Sequence, residues 1–165
     1  MIKRVIFDMD NTLMPWKKEY DNEIGIVLKE LGIEYTEEEN KKIRKALIEY
    51  ENNYYTFNTK LMIDFINKYT KKNYPEELIE KLMNKWSKCA PEKLPESTIK
   101  VLEYTKSKYE VVVLTDWYKE QQVKRLEKAK ILKYFQEVYA AEIQKENHLK
   151  KHLCKQLEKI NPKNV

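Results

Sequence analysis

The feature that most constrains the fold is an apolar run near the start of the chain that ends in two carboxylates. Val5–Phe7 is contiguous and apolar, which is typical of a strand buried on both faces of a parallel sheet. Asp8 and Asp10 follow directly, two positions apart. Two neighbouring carboxylates repel each other unless a cation or a shared proton relieves them. The sequence therefore predicts a strand over 2–7 whose end carries acids with a chemical role.

A second apolar run, Val111–Leu114, also ends in polar residues, Thr115 and Asp116. From about Trp16 to Lys88, between the two runs, apolar residues recur every three to four positions. This spacing predicts four helices and no strand, and such helices can pack as a small bundle.

Helical and strand patterns alternate again in the last part of the chain. The spacing predicts helices over 95–107, 118–130 and 146–160, and a weaker strand over 137–139. Alternating elements interrupted by an all-helical stretch are typical of an α/β sheet domain with an inserted helical module. We predict the sheet domain over 1–15 and 90–165 and the module over 16–89.

The composition favours a folded, soluble, cytoplasmic protein. The chain has 42% hydrophobic residues, and its net charge of +5 comes from 32 basic and 27 acidic residues spread along its length. This mixture argues against nucleic-acid binding, and no apolar stretch approaches a membrane span. Cys89 and Cys154 lie far apart and are expected to be reduced. His148 and His152 fit a surface helix better than a metal site.

Polar residues follow both strong strands. In α/β sheets the active site lies beyond the carboxyl ends of the strands, where Asp8, Asp10, Thr115 and Asp116 all fall. Turn residues are the alternative interpretation, because Asp and Thr are common in turns. That alternative is weaker for the two acids of the first strand, since their charges need relief.

Three stretches resemble the haloacid dehalogenase superfamily of phosphotransferases. FDMDNTL resembles its first motif, and VVVLTD resembles its second. The helical stretch between them matches the α-helical cap of that superfamily. Its third motif is a lysine, for which VYAAEIQKENHLKKHL offers Lys145, with Lys150 or Lys151 as alternatives. The resemblance implies a Rossmann-like parallel sheet core, incomplete at its C-terminal end, with an inserted α-helical bundle cap.

The resemblance also implies a reaction: Mg²⁺-dependent hydrolysis of a small phosphorylated metabolite through an aspartyl-phosphate. Asp8 would be the nucleophile, and Asp10 the acid that protonates the leaving oxygen. Thr115 would hydrogen-bond a phosphoryl oxygen, with Asp116 beside it, and Lys145 would neutralise developing charge. Mg²⁺ would bind the carboxylate of Asp8 and the main-chain carbonyl of Asp10.

The fourth motif of the family has no counterpart in the sequence. Its acids would follow a strand that begins at about Val165, so the resemblance predicts weaker Mg²⁺ binding and an exposed apolar edge at 2–7. Self-association through that first strand is expected, since unpaired edges invite pairing. Two further functions stay open: a truncated, catalytically impaired relative, or a non-catalytic interaction module. Lys130 stands where relatives would end a helix with Gly.

Overall fold

The computed structural model describes residues 2–54, 58–115 and 117–140. The chain divides into two compact units, one of residues 1–16 and 87–165 and the other of residues 17–86. The helices are α1 (Glu23–Glu30), α2 (Glu37–Asn53), α3 (Thr59–Thr70), α4 (Glu77–Trp86), α5 (Glu96–Lys108) and α6 (Lys119–Lys128). The strands are β1 (Arg4–Phe7), β2 (Glu110–Thr115) and β3 (Glu137–Ala140), and short 3₁₀ helices span Lys18–Asn22 and Leu132–Tyr134.

The first unit is built on a parallel three-stranded sheet in the order β1-β2-β3. Phe7 lies opposite Val113, and Val113 lies opposite Val138. Because β2 is central, Val111–Val113 are fully buried. All three strands run the same way, so their carboxyl ends meet at one edge. The predicted α/β fold with a parallel sheet is confirmed, and the weak third strand forms.

β1 is less buried than its apolar run alone suggests. Ile6 is 37% exposed, and Val5 and Phe7 are only partly buried. Among the described residues β1 pairs with β2 alone, so one side of the strand lacks the cover that a second neighbour provides. Burial on both faces, which the apolar run alone favoured, is wrong for this strand, whereas the exposed apolar edge expected at 2–7 agrees with the described residues. Self-association through β1 stays a prediction.

The last turn of α6 ends in a Schellman motif whose left-handed position is a lysine. Lys130 has a φ of 60°, its N–H donates to the carbonyl of Glu127 at 2.9 Å, and Ile131 N–H donates to Leu126 at 3.0 Å. Gly is the usual residue at this position because it has no Cβ to strain. The sequence position that suggested a missing Gly is thus a left-handed cap.

The second unit contains α1 to α4, in the region where four helices were predicted. A capping box begins α2: Glu39 N–H donates to the Thr36 hydroxyl at 3.2 Å, and Thr36 N–H donates to the Glu39 carboxylate at 2.8 Å. The bond from the Lys72 ammonium and that from Thr36 N–H lower the pKa of Glu39 from its ordinary 4.5. Aromatic side chains of α2 and α3, with Tyr54, line a cavity of about 420 Å³.

Several predicted features lie outside the described residues. They are Asp116, the lysines Lys145, Lys150 and Lys151, the residues His148, His152 and Cys154, and the helix over 146–160. Within the described part of the chain, the helices are all too short or too polar to cross a membrane.

Candidate active site

The loop after β1 is fixed by its own backbone. Leu13 N–H and Met14 N–H both donate to the carbonyl of Met9, at 2.9 and 3.0 Å. Asn11 takes the left-handed conformation with φ 59°, which Asn tolerates better than most residues, and its side-chain oxygen accepts from Trp16 N–H at 3.0 Å. Met9 is fully buried, so the loop is anchored between the two acids.

Asp8 lies at the end of β1 and is exposed. The hydroxyl of Thr12 donates to its Oδ2 at 2.7 Å. Thr12 is four residues further along the same loop, so the backbone bonds of the loop also fix the carboxylate. An exposed carboxylate with one oxygen held has the second oxygen available for a reacting group.

Asp10 is held by two side chains of α6. Gln122 Nε2 donates to its Oδ2 at 2.8 Å, and Arg125 Nη1 lies 2.7 Å from its Oδ1. The latter contact is an ion pair without hydrogen-bond geometry, since Oδ1 has no hydrogen-bond donor among the described residues. The side chain of Asp10 is 28% exposed. One oxygen of Asp10 therefore accepts a hydrogen bond from α6, and the other lies in an ion pair with the same helix.

The same amide of Gln122 reaches the end of β2. Its Nε2 also donates to the Thr115 hydroxyl at 2.8 Å, while its Oε1 accepts from Arg125 Nη1 at 2.8 Å. A guanidinium can only donate, so Oε1 must face Arg125 and the NH₂ group must face Asp10 and Thr115. One buried amide thus joins the ends of β1 and β2.

Arg125 is the largest fully buried side chain of the described residues, with a relative exposure of 1%. Its Nε donates to the carbonyl of Cys89 at 2.8 Å. Its guanidinium carbon lies 5.2 Å from the centre of the Trp16 ring, in cation–π contact. A buried cation is retained where charge and hydrogen bonds compensate its desolvation, and Asp10 supplies that charge.

The structure brings together two of the predicted residues, Asp10 and Thr115, through Gln122. It places Asp8 at the same edge of the sheet, bonded to Thr12, while Asp116 and Lys145 lie outside the described residues. Sequence reasoning missed Gln122 and Arg125. Their spacing offered one signal, because they stand three apart in a helix, on the stripe that also carries buried Leu126.

The oxygen donors at this edge suit a hard cation such as Mg²⁺. Asp8 offers a carboxylate, whereas the Asp10 carboxylate is engaged by α6, which leaves its main-chain carbonyl as a ligand. Among the described residues no three acids, histidines or cysteines converge on one point. The donor set therefore fits a Mg²⁺ ion that keeps several waters and binds through few protein ligands.

Comparisons with known proteins assign the family. The haloacid dehalogenase-like hydrolase family matches residues 5–164, and no curated protein matches the chain. The chain is similar in structure to YfnB from Bacillus subtilis, described as a HAD hydrolase bound to magnesium (13% identity, TM-score 0.63, 85% of this chain and 64% of that one). It is also similar to a protein from Thermotoga maritima described as a β-phosphoglucomutase (19%, 0.59, 95% and 71%).

A third similar structure is the L-2-haloacid dehalogenase of Xanthobacter autotrophicus (14% identity, TM-score 0.57, 100% of this chain and 68% of that one). At such identities the likeness shows the fold alone. The chain spans 64% of the length of the Bacillus protein. Because the family match extends over nearly all of its residues, the chain belongs to the haloacid dehalogenase-like hydrolase family.

Proposed function

We propose that the chain acts as a phosphatase on a small phosphorylated metabolite, through an aspartyl-phosphate on Asp8. The observation that carries the proposal is the bridge of Gln122 between Asp10 and Thr115. This bridge sets a proton-transfer group and a phosphoryl-binding hydroxyl side by side at the end of the sheet. Asp8, exposed at the same edge, supplies the nucleophile.

The second acid favours phosphoryl transfer over dehalogenation. An alcohol leaves a phosphate ester easily only if its oxygen receives a proton, so a positioned acid accelerates the step. A halide leaves carbon as a stable anion and needs no proton. Asp10 and the two α6 side chains that hold it therefore have a use in a phosphatase and none in a dehalogenase.

The steps follow from these roles. An Asp8 oxygen attacks phosphorus, the bond to the leaving oxygen breaks, and Asp10 gives that oxygen a proton. Water then attacks phosphorus of the aspartyl-phosphate while Asp10 takes a proton from it. The bond between the Asp8 oxygen and phosphorus breaks, inorganic phosphate leaves, and the Asp8 carboxylate is regenerated. In the structure Gln122 Nε2 donates to Asp10 Oδ2 and Arg125 Nη1 lies 2.7 Å from Oδ1, so the carboxyl group is held in one place for both proton transfers.

Mg²⁺ belongs to this proposal. The Asp8 carboxylate and the Asp10 carbonyl would hold the ion, which when bound neutralises charge on the phosphate. Support comes from the family and from the magnesium-bound Bacillus protein. We further propose that residues 16–89 are the cap that selects the substrate, and that Lys145 is the lysine of the third motif.

Phosphate release from p-nitrophenyl phosphate tests the proposal. The purified chain should turn over this substrate with Mg²⁺ and lose activity when the ion is chelated. Asp8→Asn should reduce turnover by more than about 10³-fold, because it removes the nucleophile. Glu96→Gln, the analogous acid-to-amide change at an exposed residue of α5 in the sheet unit, is the control and should keep activity.

Three results would contradict the proposal. Equal phosphate release by the wild type and Asp8→Asn would show that Asp8 is not the nucleophile. Chloride release from a 2-chloroacid without phosphatase activity would favour a dehalogenase. A folded chain with neither activity would favour the catalytically impaired relative or the interaction module.

A further inference from the structure

Gln122 fixes which way the hydroxyl of Thr115 donates its proton. The Thr115 oxygen accepts from Gln122 Nε2 at 2.8 Å and, more weakly, from Trp117 N–H at 3.4 Å. A hydroxyl has two lone pairs and one proton, so these contacts occupy the acceptor side of Thr115. Among the described residues no protein group accepts its proton. The hydroxyl is therefore a free donor, as a phosphoryl oxygen requires.

The other N–H of Gln122 acts on Asp10. It donates to Oδ2, while Arg125 approaches Oδ1 from the same helix. Held by two groups of one helix, the Asp10 carboxyl group has few accessible rotamers. It therefore loses little conformational entropy when it transfers a proton. Gln122 and Arg125 themselves contact neither Asp8 nor its Thr12 partner in the described hydrogen bonds.

Arg125 keeps Gln122 in the required orientation. Its Nη1 donates to Gln122 Oε1, and its Nε is anchored on the Cys89 carbonyl, both at 2.8 Å. Gln122 is 0% exposed and Arg125 is 1% exposed, so water cannot easily replace these bonds. A flipped amide would put Nε2 against the guanidinium, donor against donor, and leave Thr115 and Asp10 without their N–H.

We infer that Gln122 and Arg125 are positioning residues, which together make the Thr115 hydroxyl a donor to the phosphoryl group and hold Asp10 for proton transfer. This inference rests on the proposed function, and it adds two residues of α6 that touch neither substrate nor metal. It also explains why a polar helix surface buries a glutamine and an arginine beside the end of the sheet.

The test uses Gln122→Met, which keeps the length of the side chain and removes both N–H donors. Gln121→Met makes the same change at the preceding residue, which forms no hydrogen bond to Asp10 or Thr115 in the structure, and serves as the control. The kcat/KM value reports the steps up to phosphorylation of Asp8. It is measured for p-nitrophenyl phosphate, whose leaving oxygen needs no proton, and for glycerol phosphate, whose leaving oxygen does.

Gln122→Met should lower kcat/KM for p-nitrophenyl phosphate by about 10-fold, through Thr115, and for glycerol phosphate by about 10²-fold or more, because the proton donor is also displaced. Asp10→Asn should show the same dependence on the leaving group. In the double variant Gln122→Met/Asp10→Asn, only the roughly 10-fold loss through Thr115 should add to the loss of Asp10→Asn on glycerol phosphate, since the rest of the Gln122 effect acts through Asp10. A merely structural role of Gln122 would lower kcat/KM for both substrates by the same factor.

Gln122→Glu serves as a second variant if circular dichroism shows that Gln122→Met is not folded. It retains the acceptor for Arg125, lacks both N–H donors, and should show the same dependence on the leaving group. Normal activity in these folded variants would overturn the inference and leave the phosphatase proposal standing.

A wild type without turnover would overturn the phosphatase proposal instead. Binding of inorganic phosphate with Mg²⁺, measured by calorimetry, then decides the inference. Binding that weakens at least 10-fold in Gln122→Met and not in Gln121→Met supports it, and equal binding or none overturns it.

Discussion

Replacing the buried arginine should destabilise the sheet unit more than any surface change. Arg125→Met keeps an unbranched side chain of similar length, so the packed volume is nearly preserved. It removes the hydrogen bonds to the Cys89 carbonyl and to Gln122 Oε1, each 2.8 Å long, and the ion pair to Asp10 at 2.7 Å.

The magnitude follows from the contacts that are lost. Each of the two hydrogen bonds removed from a buried acceptor costs about 1–3 kcal/mol. The Asp10 side chain is 28% exposed, so water takes over part of the lost charge interaction, and the ion pair adds less than a fully buried one. The total is about 3–5 kcal/mol, the usual cost of breaking a buried pair by removing one partner. That is a large share of the stability of a small domain.

Amide hydrogen exchange measures this cost in the right part of the molecule. The exchange of the buried amides of Val111–Val113 in β2 reports the opening of the sheet unit, and amides of α3 provide a reference within the helical unit. Adding Asp10→Asn to Arg125→Met should recover about 1–2 kcal/mol, because the unpaired charge is removed. A loss below about 1 kcal/mol in the single variant, or no recovery in the double one, would refute the reasoning.

Two further predictions concern the helix ends. Lys130→Gly should stabilise the sheet unit by about 1 kcal/mol, because Gly takes the left-handed conformation without strain. Glu127→Gly, within α6, is the control and should destabilise the unit by a similar amount. Urea denaturation measures both variants, and the assignment would be contradicted if neither or both of them were stabilised. Glu39→Gln should lower the free energy of unfolding at neutral pH and change it little well below pH 4.5. The folded state lowers the pKa of Glu39, so the stability that the carboxylate contributes disappears as the acid is protonated. Glu37→Gln is the control, and a loss of stability that persists at low pH would argue against the Lys72 bond.

The strands and helices could be predicted because their signals are local. Contiguous apolar residues mark β2, and a capping box marks the start of α2. The burial of β1 could not be predicted from its own residues, because the cover over a strand depends on its neighbours, and Ile6 is exposed although its sequence context suggests a core. Asp10 and Thr115 could be predicted to lie at one edge because parallel strands end together.

Gln122 and Arg125 show what local patterns miss. The stretch KEQQVKRLEK reads as a solvated helix, because apolar residues are few and charges are many. Its buried side includes polar Gln122 and charged Arg125 with Leu126. Burial of such groups depends on partners that lie far along the chain, at Asp10 and Cys89. Hydrophobic periodicity predicts that such residues are exposed to solvent, because it does not see the distant partner that a buried charge requires. Buried polar residues on the inner stripe of a helix beside a strand end are therefore the place to look for groups that position a reacting carboxylate.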